Sequence, residues 1–122
     1  AEMALLGSMI LDPAVIPDVL AVVKSKADFY APAHGEIYQA VLEVFDRAHG
    51  QGLDLVPVHE VLRDRGILEQ VGGAEYLQRL FEGGSGSAAT AHYAQIVAEK
   101  ARLRRVIDVG WQMVYDAFHP EE

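Results

Sequence analysis

The sequence predicts an all-α domain: a compact bundle of short helices followed by one long C-terminal helix. Three observations carry that expectation. Apolar residues recur at three- and four-residue spacing, the period of a helix face. Pro and Gly interrupt the pattern at short intervals as far as Gly86. From Ala88 to Phe118 there is then no Pro and only one Gly. A period of two is sustained nowhere, and Leu53-Asp54-Leu55-Val56 is too short to seed a sheet.

The elements follow in order. Met3 to Leu11 forms a first amphipathic stretch ending at Asp12-Pro13. Asp as a cap and Pro at the first helical position together open a second helix, because the first turn has no use for the missing N–H. That helix places Val15, Ile16, Val19, Leu20 and Val23 on one face. Phe29, Tyr30 and Pro32 form an irregular aromatic connection. The third helix, Ala33 to Ala48, carries Ile37, Val41, Val44 and Ala48, widened by Tyr38, Leu42 and Phe45. So broad an apolar arc belongs to a central helix. Gly50 and Gly52 stop it.

A shorter helix is expected after Pro57, with Val58, Val61 and Leu62 inward, and Arg63, Arg65 and Gly66 supplying its end chemistry. Ile67, Leu68 and Val71 lead to Gly72-Gly73, and a further helix carries Tyr76, Leu77, Leu80 and Phe81. Gly83 to Ser87 reads as a flexible joint. Beyond it a single helix of about 45 Å runs at 1.5 Å per residue, with Ile96, Leu103, Ile107, Gly110, Val114 and Phe118 on one stripe. Residues 1–86 form the head and 87–122 the long helix of a single structural domain. Val109, Trp111, Met113 and Tyr115 lie outside the stripe, so the distal helix is apolar nearly all round. It calls for a further intramolecular partner, a neighbouring subunit, or both.

The 122 residues suffice for one core, with 51% hydrophobic residues. The chain opens on Ala1 rather than Met, as expected of a piece of something longer. Ten Lys and Arg against 18 Asp and Glu give a net charge of −8, which disfavours direct grip on a phosphate backbone. There is no Cys, which removes disulfides, thiolate metal sites and a catalytic thiol and suits a reducing cytoplasm. No apolar run reaches the roughly 20 residues of a membrane helix, and no signal peptide opens the chain.

Reactive constellations are missing from the pattern. Gly83 to Ser87 lacks the Lys-Ser/Thr of a P-loop, and His59-Glu60 is followed by Arg63 where a zincin would place its second His. His34, His49, His59, His92 and His119 have no ligand spacing; His34, beside aromatics, reads as a structural hydrogen-bonding residue. The carboxylates are scattered, so no catalytic, cofactor or metal residue is assigned and the fragment is not expected to be an enzyme.

Two features suggest interaction. Lys100, Arg102, Arg104 and Arg105 cluster within six positions. They read either as a solvated face paired with Glu99 or Asp108, or as a site for an acidic partner or single-stranded DNA. Trp111, Tyr115 and Phe118 load the end of the long helix with aromatics suited to an interface or a core. A helix-turn-helix over Pro57 to Leu80 is disfavoured, since its second helix sets Arg79 against Glu75 and Glu82.

Four stretches carry a family resemblance. They are Ala1-Glu2-Met3-Ala4-Leu5-Leu6-Gly7 running to Leu11-Asp12-Pro13, and Asp28-Phe29-Tyr30-Ala31-Pro32-Ala33-His34 continuing to Ile37-Tyr38-Gln39-Ala40. The third runs from Asp54-Leu55-Val56 through Arg65-Gly66 to Leu68-Glu69-Gln70-Val71-Gly72-Gly73-Ala74-Glu75-Tyr76-Leu77. The fourth is Tyr93-Ala94-Gln95-Ile96-Val97-Ala98-Glu99-Lys100 with Leu103-Arg104-Arg105. In this order they resemble the N-terminal domain of the DnaB-family bacterial replicative helicases across essentially the whole chain. Two departures stand out: Pro57 replaces a usual Thr, and Gly83 to Ala88 replaces a Val-Pro-Ser-Ala segment, implying a looser joint.

The resemblance implies a parent homohexameric ATPase that encircles one DNA strand, using ATP and magnesium at a P-loop in a C-terminal motor domain. Its N-terminal domains would form a non-catalytic collar, pairing through helical hairpins into a trimer of dimers. The long helix would be the first arm of that hairpin, with the second arm outside this chain. Primase would dock through its helical C-terminal domain, as would helicase loaders in some bacteria. Carried onto this sequence, the oligomer contacts are Ile107, Gly110, Trp111, Val114 and Phe118, and the primase contacts are Tyr76, Arg104 and Ile107. Gly110 would admit a close partner helix, although Gly costs about 1 kcal/mol relative to Ala inside a helix. The alternative is a small helical nucleic-acid-binding module using Lys100 to Arg105; an enzyme with a carboxylate site stands further behind.

Overall fold

The computed structural model describes residues 1–48, 53–84 and 87–121. Gly50 and Gly52, offered as helix stops, and Ser85-Gly86 of the joint lie outside the described residues. Six α-helices account for most of the rest: α1 (Glu2–Leu11), α2 (Ile16–Val22), α3 (Pro32–Arg47), α4 (Leu55–Asp64), α5 (Gly73–Glu82) and α6 (Ser87–Phe118). The all-helical expectation holds, and so does the long C-terminal helix.

Several boundaries follow from single residues. Asp12 caps a short 3-10 turn, Pro13–Val15, accepting from the Ala14 N–H at 3.3 Å. Pro32 occupies the first turn of α3 as expected. Helix α4 begins two residues before Pro57, with Asp54 as its N-cap. Pro57 therefore lies within the first turn, where its absent N–H leaves no bond unmade. At the other end Gly66 takes φ +73°, a left-handed stop that side chains with a Cβ resist.

The centre of the core is α1 rather than α3. Helix α1 packs against α3, α5 and α6, and Leu5 through Ile10 are buried without interruption. The amphipathic expectation fails here because neighbours cover α1 on several sides, so that even Gly7 and Ser8 are buried. Gly7 admits the end of α5: a Cβ there would collide with the Leu80 carbonyl oxygen. Ser8 returns its hydroxyl to the Ala4 carbonyl at 2.7 Å, which satisfies it in the interior. Gly84 meets Gly7 from the other side; a Cβ on it would come within 2.6 Å of the Gly7 carbonyl oxygen. Within the expected flexible joint Gly84 is thus packed, because it and Gly7 let the backbones touch, whereas Gly83 is exposed.

Around α1 lie Ile37, Tyr38, Val41 and Val44 of α3, Val58 and Leu62 of α4, and Leu77 and Leu80 of α5. Val15, Ile16, Val19 and Val23 face inward as expected, but Leu20 does not, being 41% exposed. Phe29 is buried against Tyr38, ring centroids 4.9 Å apart, whereas its neighbour Tyr30 points outward.

Helix α6 meets this core along Thr90, Ala94, Val97 and Ala101. These small residues repeat at four, three and four, and their size lets the helix axis lie close to α1 and α2. The predicted stripe is displaced from this seam: Ile96 is only half-buried and Leu103 is exposed. At 100° per residue the stripe lies roughly a third of a turn from the seam. Beyond Ala101 the head gives little cover. No single helix among the described residues is long and apolar enough to cross a membrane.

Candidate functional site

The exposed part of the stripe begins beside the head as a groove of about 560 Å³. Ile96, Val97, Leu103 and Ile107 of α6 give it an apolar floor, and Glu2, Tyr30, Lys100 and Arg104 are the polar and aromatic groups around it. From there the apolar surface continues to the tip of α6: Ile107 is 55% exposed, Trp111 69% and Phe118 80%. Ile107, Gly110, Trp111, Val114 and Phe118 fall within an arc of about 100°. A Cβ added at Gly110 would meet nothing within 4 Å. Val106, Val109 and Met113 are exposed about a third of a turn further round the same helix. Contiguous apolar surface of this kind marks a contact surface more than a catalytic pocket.

Tyr30 stands at the rim because the backbone beneath it is anchored. Helix α3 has no side-chain cap of its own. The Glu2 carboxylate, from the first turn of α1, holds the amides just ahead of the helix, accepting from the Tyr30 N–H and, at 3.3 Å, from the Ala31 N–H. A negative charge at that helix N-terminus is favourable. Glu2 also receives His34 Nδ1 at 2.7 Å, and His34 Nε2 lies 2.6 Å from the Tyr76 hydroxyl. A carboxylate only accepts, so Nδ1 carries the proton; in the neutral ring Nε2 then accepts from Tyr76. His34 has the structural hydrogen-bonding role read from the sequence. Burial pushes the Tyr76 phenol above its usual value; Arg79, 5.5 Å from its ring centroid, lowers it and Glu2 raises it further.

The basic cluster is largely engaged within the chain. Arg104 donates to the Asp28 carbonyl at 2.8 Å and holds its guanidinium 5.6 Å from the Tyr30 ring centroid. Arg105 reaches the Asp28 carboxylate at 3.3 Å, and Arg102 pairs with Glu99 at 2.6 Å. That last bond holds the Glu99 carboxyl below its usual range. The Glu99 pairing was legible as a three-residue step on a helix. Asp28 was not, since it lies more than 70 positions away in sequence.

The structure therefore brings Arg104 and Ile107 into one groove and ties Tyr76 to its edge through His34 and Glu2. The remaining assembly candidates lie along α6. Sequence reasoning missed Glu2, Tyr30 and Asp28 as parts of the site. All three fall inside family-like motifs, but only tertiary contact gives them a role. Among the described residues no group of three or more His, Asp or Glu could hold a metal ion.

These features define a helical domain whose most developed surface is an apolar groove running onto a largely uncovered helix. The family model described as "DnaB-like helicase N terminal domain" matches residues 1–99. The replicative DNA helicase DnaB of Mycobacterium leprae (strain TN) is 43% identical over 114 residues, covering 93% of this chain and 18% of that protein. The DnaB of Geobacillus stearothermophilus is 38% identical over 122 residues, covering 100% of this chain and 26% of that protein. A crystal structure of the N-terminal domain of DnaB helicase from Mycobacterium tuberculosis matches with a TM-score of 0.87 and 40% identity, covering 96% of this chain and 83% of that one. The chain belongs to the DnaB-like helicase N-terminal domain family, and it spans a minor part of each helicase it resembles.

Proposed function

We propose that this domain is the non-catalytic collar element of a hexameric replicative helicase, serving ring assembly and the docking of primase in the bacterial cytoplasm. The observation that carries the proposal is the distal half of α6. Val106, Val109, Trp111, Met113 and Phe118 expose more than half of their surface on several sides of one helix. Aromatic and aliphatic groups so disposed favour burial against more than one neighbour. In the family's arrangement these neighbours are the second hairpin arm and a second subunit. Ile107, Gly110, Trp111, Val114 and Phe118 are the proposed contacts. Arg104 and Ile107, with Tyr76 behind them, would serve primase, and a helicase loader in bacteria that use one. ATP, magnesium and the encircled DNA belong to the parent ring and its motor domain.

Sedimentation at several concentrations tests the assembly part. Mass should rise with concentration for the native chain and remain monomeric for Trp111→Glu. A native chain that stays monomeric at the highest concentration counts against it. Capture of the helical C-terminal domain of primase on the immobilised chain tests the docking part. The second reading, a nucleic-acid module, is disfavoured by the engagement of Arg102, Arg104 and Arg105 with groups of the chain itself.

A further inference from the structure

We infer that His34 is a positioning residue for the docking groove, holding Glu2 so that Tyr30 and Arg104 form its rim. The inference rests on the docking reading above and adds the device that shapes the surface.

Glu2 is the acid that lines the groove, and the same groove presents Lys100 and Arg104. A glutamate in the first turn of a helix has ample rotamer freedom, and either cation offers it an alternative partner. Were it to swing there, it would mask the cation and release the Tyr30–Ala31 backbone. His34 opposes that motion. Its ring is 13% exposed and is gripped at both nitrogens, by Glu2 at 2.7 Å and by the Tyr76 hydroxyl at 2.6 Å.

The order of action runs outward from the head. Tyr76 of α5 orients the imidazole, the imidazole fixes the carboxylate of α1, and the carboxylate holds the amides of Tyr30 and Ala31. The Tyr30 ring, 76% exposed, then stands beside the Arg104 guanidinium, which the Asp28 carbonyl steadies. Tyr and Arg are frequent anchors of protein interfaces, and an anchor held in place before binding loses less entropy on association. Tyr76 and Arg104, separate candidates in the sequence, are thereby two ends of one chain of contacts. On this account Tyr76 acts through His34, since its hydroxyl is already engaged within the chain.

Amide spectra of the 15N-labelled chain test the positioning without a partner. In His34→Ala the Tyr30 and Ala31 resonances should shift and their exchange quicken about tenfold, the scale of one lost charge-assisted hydrogen bond. Amides from Thr90 to Ala101 should stay unchanged. His34→Gln can still donate to Glu2 and should restore the native pattern. Unchanged Tyr30 and Ala31 amides in a folded His34→Ala chain overturn the inference. Should His34→Ala fail to fold, Tyr76→Phe provides the same comparison with the same overturning result.

Titration with the helical C-terminal domain of primase then reads the consequence. Affinity should fall about tenfold in His34→Ala and recover in His34→Gln. Glu2→Gln combined with His34→Ala should cost less than the sum of the two. Native-level affinity in His34→Ala overturns the role in docking. A native chain that does not bind primase overturns the docking reading instead, and the amide spectra still decide whether His34 positions the rim.

Discussion

Gly7 and Gly84 are the points where α1 and the end of α5 touch through backbone alone. Gly7→Ala must push the Leu80 carbonyl away, an overpacking expected to cost roughly 1–3 kcal/mol. Urea denaturation would measure it; an unchanged midpoint would mean that the contact is slack. Tyr38 makes a second, pH-dependent contribution. Its hydroxyl donates to the Val23 carbonyl at 2.9 Å, and burial, with Asp28 adding to it, pushes its pKa up to about 12. The folded state thus keeps the proton more tightly than the unfolded chain, whose tyrosines titrate near about 10. The contribution is complete below that value and disappears as pH rises through 12. Alkaline unfolding should accordingly shift in Tyr38→Phe, which has no phenol to titrate. Tyr38 was visible in the sequence as part of a wide apolar arc. Its hydrogen bond was not, because the acceptor is a carbonyl on another element.

Helix α6 has two halves with different physics. From Thr90 to Ala101 it shares the core of the head, whereas from Val106 to Phe118 its hydrogen bonds have little tertiary cover. Isolated helices of fewer than about 12–15 residues are marginal in water. Amide exchange of the monomer should therefore be slow through Ala101 and faster towards Phe118, approaching the protection of a lone helix. Self-association should slow the distal amides selectively. Uniform protection along α6 in a verified monomer would contradict this division. The long helix itself was legible, since Ala88 to Phe118 holds no Pro and a single Gly, Gly110, which the helix runs through. The face it buries was not. Ala94, Val97 and Ala101 keep helical spacing, but small side chains give a faint hydrophobic signal, and the larger residues of the neighbouring stripe outweighed them. Likewise α1 was expected to be amphipathic, whereas its neighbours bury every residue from Leu5 to Ile10, Gly7 and Ser8 included.

For the whole molecule, the charge of −8 and the internal pairing of Arg102, Arg104 and Arg105 point the same way. The isolated chain should bind single-stranded DNA no more tightly than roughly 10⁻⁴ M at physiological salt, the weak end of non-specific binding. Fluorescence anisotropy would reveal tighter binding, and sensitivity of that binding to charge reversal at these arginines would revive the nucleic-acid reading. The fold class and family were written in breakers and motif order, whereas the groove exists only once α1, α3 and α6 are assembled. One mechanical consequence follows from the seam of small residues. Ala101 and Phe118 lie about 25 Å apart along the helix, so any tilt of α6 at the seam is magnified at its tip. A rocking of about 5° at the seam would sweep the tip through about 2 Å, comparable to the small helix shifts that switch other assemblies.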